Sequence, residues 1–249
     1  MRPTSSPPAL FVPAPLSLRW DPAAPLPTRL ILPLKRTTLP AVLAAPTWIP
    51  TGPWDQSFDF SGHLRRLIDD IVRRCSEFNH IDANRLLIGG LQARHAKPHG
   101  LQARVTPLRF RRGALTRPRR NVLYQVQRYF HGECEFLYLV TFCLPRFLDQ
   151  DFDAKFITIF HELYHIGPLF DGDLRRHQGR CHLHTHSQKQ YDRGMAKLAR
   201  EYLATKPDPA LFDFLRLNFA QLYQRHGGVE AVAVPRPKIV PLLHAAQLT

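Results

Sequence analysis

The stretch Phe156-Ile157-Thr158-Ile159-Phe160-His161-Glu162-Leu163-Tyr164-His165-Ile166-Gly167-Pro168 governs how the rest of this chain is read. Its first half is apolar, as a helix packed on a core requires. Residues four apart on a helix project from one face, so His161 and His165 offer imidazole nitrogens to one point in space. Glu162, next to the first histidine, reaches the same neighbourhood. Ionisable groups within a buried-looking helix need partners, and a metal ion supplies them. The pattern predicts a helix from Phe152 to Ile166. Asp149 or Asp151 caps its start, and Gly167-Pro168 stops it, with glycine in the left-handed cap.

Two histidines and a glutamate in this order suit Zn²⁺. Zinc lowers the pKa of water, and an adjacent carboxylate takes the proton as that water attacks a carbonyl. His161 and His165 are therefore the expected metal ligands, with Glu162 as general base. A catalytic zinc takes three protein ligands and keeps one position open. The stretch from His177 to His186 is the expected source of the third. His186 is preferred, then His184, then His177, with His182 also present. Glu201 on a downstream helix is a weaker alternative. The metzincin pattern asks for glycine at 168 and histidine at 171, where this chain has Pro168 and Asp171. Asp171 and Asp173 either orient a ligand or shape a turn around Gly172. Tyr164 and Tyr191 are candidate donors to an oxyanion. Arg175 and Arg176 either bind a substrate carboxylate or are solvated.

His161-Glu162-Leu163-Tyr164-His165-Ile166, the segment Phe170 to His177, and His186 with Tyr191 five residues later resemble the phage-type metallopeptidase family and its bacterial relatives. The likeness covers roughly residues 60–205. It implies a minimal zincin: an α+β domain with a small, mainly antiparallel sheet packed on the H-E-x-x-H helix and its flanking helices. It also implies zinc and hydrolysis of a protein or peptide substrate. The linker to the third histidine is longer here than the family pattern.

The 249 residues allow one large domain. A formal net charge of +14 points to an acidic partner. The run from Gln92 to Arg120 has no acid and many arginines. It reads as a solvated edge, or as a phosphate-binding patch in contact with nucleic acid. Cys75, Cys134, Cys143 and Cys181 form no C-x-x-C pair, so free thiols in a reducing compartment are expected. No apolar run is long enough to span a bilayer, and a cytoplasmic location is expected.

Residues 1–54 hold more than half of the 23 prolines and one acid, Asp21. Proline removes donors and fixes φ, so this stretch reads as a disordered or loosely draped extension without a long helix or central strand. A domain is expected over 55–225 and an irregular tail over 226–249. Within the domain, a helix should run from a Ser61 cap to about Phe78. The words Gly90-Leu91-Gln92-Ala93-Arg94 and Gly100-Leu101-Gln102-Ala103-Arg104 predict neighbouring strands turning through Lys97-Pro98-His99. Val122–Phe130 and Glu135–Cys143 should form a hairpin. Further helices are expected over Ser187–Leu203 and Pro209–Arg225.

Other classes compete with the peptidase reading. They are a nucleic-acid-associated basic protein whose zinc is structural, closed by four protein ligands, and a metal-dependent hydrolase of non-peptide substrates.

Overall fold

The structure is a computed structural model, and it describes residues 16–34, 45–95, 97, 99–120, 122–176 and 188–244. The architecture is α+β. The strands are β1 (Ser17–Trp20), β2 (Thr28–Ile31), β3 (Phe58–Asp59), β4 (Leu86–Gln92), β5 (Ala103–Pro107), β6 (Thr116–Arg119), β7 (Val122–Val126), β8 (Arg128–His131), β9 (Cys134–Phe136), β10 (Tyr138–Leu144), β11 (Val229–Val232) and β12 (Ile239–His244). The helices are α1 (Phe60–Arg74), α2 (Phe152–Tyr164), α3 (Gln188–Ala204) and α4 (Phe219–His226). Among the described residues the strands form four three-stranded sheets: β1-β8-β9, β4-β10-β5, β2-β11-β3 and β12-β7-β6.

The β4-β10-β5 sheet positions the site. Every residue of β10 is buried, because both faces of this strand are covered. One face carries Val105, Tyr138, Val140 and Phe142 into a core shared with α1, α2 and α3. The other carries Leu87, Leu108 and Leu139 into a second cluster under the β6-β7 region. β4 runs parallel to β10, and β5 runs antiparallel on its other side. The two repeated words therefore do not form a hairpin with each other; β10 lies between them. Their glycines also differ in role. A Cβ on Gly90 would sit 2.3 Å from Cβ of Ala231, so its absence admits β11 against β4. Gly100 instead takes a left-handed φ of 136°.

α1 starts one residue before Ser61. Its cap is Asp59, whose carboxylate accepts from the Gly62 N–H, and Ser61 is buried and accepts from Val232 instead. The two long strand candidates each break and change sheet, at Gln127 and at Leu137. A hairpin survives between their inner halves, β8 and β9, turning at Gly132 with φ 58°. The segment 209–225 is also broken, into two 3₁₀ turns and then α4, which Asn218 and Gln221 start with reciprocal bonds.

Two expectations about the ends of the chain are corrected. The Pro-rich extension supplies β1 and β2, and Ile31 is fully buried. Both strands sit at sheet edges, where proline neighbours are tolerated. The supposed irregular tail supplies β11, the middle strand of its sheet, and β12, which pairs with β7. Residues 229–244 of this stretch thus complete two sheets. Among the described residues no helix is long and apolar enough to cross a membrane.

Candidate metal centre

α2 carries the motif. Asp151 caps it, its side chain accepting the Ala154 N–H at 2.7 Å. Phe156, Ile159, Phe160 and Leu163 are buried at helical spacing and seat the helix in the core. The helix ends at Tyr164, a turn before Gly167. Gly167 does not take the left-handed cap expected of it. It is the site of a close crossing: its N–H donates to the Asp173 carbonyl, and a Cβ there would lie 2.8 Å from that oxygen. The chain thus folds back, with Ile166 bridging to Leu174.

One turn of α2 brings His161 and His165 together, with ring centroids 4.7 Å apart. Potential ligand atoms of His161, Glu162 and His165 all lie within 4.8 Å of one another. It is the one such group of three among the described residues. Both imidazoles are half-buried. Two imidazoles at this spacing fit the nitrogen donors of a zinc ion, with the Glu162 carboxylate close beside them.

Glu162 is buried, at 7 % exposure. Its Oε2 accepts the backbone N–H of Val105 at 2.7 Å. Burial pushes its carboxyl up to about 7, against the opposing pull of the Val105 bond and of the nearby Arg104. The Val105 contact was not legible in the sequence. It exists because β5 is an edge strand. Cys143 donates to Gln102 and Leu108 donates to Leu137. Antiparallel alternation therefore turns the backbone of Gln102, Arg104, Thr106 and Leu108 toward β10. Ala103, Val105 and Pro107 turn outward, toward the helix bearing Glu162.

α3 supplies a second wall. The Tyr191 ring meets His161 edge-on at 4.8 Å and Tyr164 at 5.6 Å. Burial pushes the Tyr191 phenol up. Arg175 lies over the Tyr164 ring at 4.0 Å and pairs with Glu77 at 3.2 Å. Arg176 pairs with Asp173 at 2.8 Å. These two arginines are therefore committed within the fold. The Asp173 carboxylate also accepts from Arg112 and Leu174 backbone, and Asp171 accepts the Asp173 N–H. Both aspartates build the turn around Gly172, whose φ is 88°. Glu201 stands on α3 with its side chain 57 % exposed, in an ion pair with Lys197, and is not part of the cluster. His177, His182, His184 and His186 lie outside the described residues.

The arginine-rich run of 92–120 is divided. Arg109 is held by Glu135 at 2.6 Å and is nearly buried. Arg104, Arg111, Arg112, Arg117, Arg119 and Arg120 are exposed. Cys75, Cys134 and Cys143 are free thiols.

Comparison with protein-family models, curated proteins and solved structures finds no match to this chain.

Proposed function

We propose that this chain is a zinc-dependent metallopeptidase of minimal zincin type, similar to the phage-type family whose motif it shares. The observation that carries the reading is the convergence of His161, Glu162 and His165 on α2, beside the outward-facing edge of β5. His161 and His165 are two zinc ligands. A histidine of the 177–186 stretch, His186 first and His184 second, is the third. Support for that choice is Tyr191, five residues after His186, which packs directly on His161.

A bound zinc ion supplies the Lewis acidity that makes water a nucleophile at neutral pH. Glu162 is the general base. Its buried carboxylate, one residue from the first ligand, accepts a proton and passes it to the leaving amine. β5 holds the substrate. Of the outward backbone groups, the Val105 N–H is held by Glu162 and Pro107 has none, so an extended peptide adds through the Ala103 N–H and the outward carbonyls of Ala103, Val105 and Pro107. Tyr191, whose ring packs on His161, is the candidate donor to the oxyanion that develops.

The test is elemental analysis and peptide hydrolysis on the purified chain and on Glu162→Gln. The unsubstituted chain should hold one zinc per molecule and cut peptides. Glu162→Gln should keep the zinc and lose activity by about 10²–10⁴-fold, the usual contribution of a general base. A chain that binds no zinc ends the proposal. An active Glu162→Gln removes Glu162 as the base.

A further inference from the structure

A cleft of about 400 Å³ opens on the far side of β5 from α2, between that strand and the β12-β7-β6 sheet. Its size lies within the range of small-ligand sites, ~300–1,000 Å³. Four arginines line it: Arg104 from β5, Arg109, Arg117 from β6, and Arg236 before β12. Arg109 is taken by Glu135. Arg104, Arg117 and Arg236 are exposed and in no ion pair with a described carboxylate. Among the described lining residues none is acidic. The rest of the wall is apolar, including Pro107, Val126 and Ile239.

The cleft shares β5 with the metal centre. Val105 and Ala103 point their side chains into the core beneath α2, and Arg104 and Thr106 point to the opposite face. A peptide strand laid on the β5 edge has the same period of two. Its side chains alternate between the metal face and the arginine cleft.

We propose that this cleft is a specificity subsite that takes aspartate or glutamate side chains of a peptide bound along β5. The proposal rests on the peptidase reading. Guanidinium groups match carboxylates in charge and geometry. The apolar wall suits the aliphatic stem of a glutamate. A nucleic acid fits less well, because single strands are held by stacking on exposed aromatic rings. The only aromatic residue among the described lining is Phe110, which is 8 % exposed and has Arg117 over its ring at 4.9 Å.

The experiment is fluorescence anisotropy with the full chain carrying Glu162→Gln, which prevents turnover. The probes are a labelled peptide of alternating alanine and glutamate, its glutamine counterpart, and a short oligothymidylate as competitor. The glutamate peptide should bind at least about tenfold more tightly than the glutamine peptide, as a few partly exposed charge-assisted bonds allow. Added salt should narrow the gap. Arg117→Gln with Arg236→Gln should abolish it. Equal binding of the two peptides by the chain with both arginines intact overturns the proposal, whatever the fate of the arginine variant. So does a preference that survives both substitutions, or an oligonucleotide that displaces the glutamate peptide at lower concentration than unlabelled peptide does. Cleavage separates this from the parent reading. Hydrolysis of both peptides at equal rates removes the acidic subsite alone. Acid-selective binding without any cleavage by the unsubstituted chain removes the peptidase and leaves an acidic-peptide site.

Discussion

At the scale of single residues, α2 holds two buried ionisable groups with different solutions to the cost of burial. Glu162 keeps one backbone N–H and stands beside the two histidines. Lys155, two turns earlier, is 2 % exposed and donates to the carbonyls of Leu215 and Leu217, each at 2.8 Å. Burial lowers its ammonium from 10.5 to about 8, with Asp149 and Asp151 pulling the other way. In the window from pH 8 to 10.5 the folded chain has released a proton that the unfolded chain still holds. Stability therefore rises with pH across that window, and Lys155 adds no pH dependence on either side of it; below it the cost of burying the charge is present in full. The gain amounts to about 3 kcal/mol, taking 1.36 kcal/mol per unit. Urea unfolding at a series of pH values should show the difference between the unsubstituted chain and Lys155→Met changing by that amount between pH 8 and 10.5. A difference that stays flat would remove the charge from this account. His161, Glu162 and His165 were readable from sequence because their relation is one helical turn. Lys155 gave no such signal, since its two acceptors lie some sixty residues away.

At the scale of elements, helices were more legible than strands. α2 has a cap, an apolar stripe and a defined end within its own sequence. Replacing Asp151 with Ala removes the acceptor for the Ala154 N–H and should cost about 1 kcal/mol, measured as a fall in the midpoint of chemical unfolding. An unchanged midpoint would show that tertiary packing alone holds the first turn. The strand candidates 122–130 and 135–143 illustrate what local pattern omits. Both are rich in β-branched and aromatic residues throughout, and propensity does not register where a chain leaves one sheet for another. Those breaks fall at Gln127, whose N–H donates to Lys238, and at Leu137, whose N–H donates to Arg85. Each partner is remote in sequence. Around the second break, Glu135 is claimed by Arg109 and Arg128, each at 2.6 Å. Burial opposes ionisation of this carboxylate, but the two arginines outweigh it and hold it below the usual range.

At the scale of the whole molecule, strands from near both ends of the described residues complete the sheets. β11 places Val229 and Ala231, both fully buried, between β2 and β3. A chain ending at Gly227 loses the middle strand of one sheet and an edge of another. It should show no cooperative thermal unfolding by circular dichroism. A truncated chain that melts as the full chain does would make 228–249 the dispensable tail that its composition suggests.

The sequence by itself determined the α+β class, the helix that carries His161, Glu162 and His165, and the capping that starts it. These depend on periodicities of a few residues, which the chain records directly. The tertiary structure alone decided that β10 separates the two repeated words, that the proline-rich segment contributes edge strands, and that β5 turns the Val105 N–H to Glu162. Each of these depends on which distant segments compete for the same backbone hydrogen bonds and the same buried surface. No window along the chain contains both competitors.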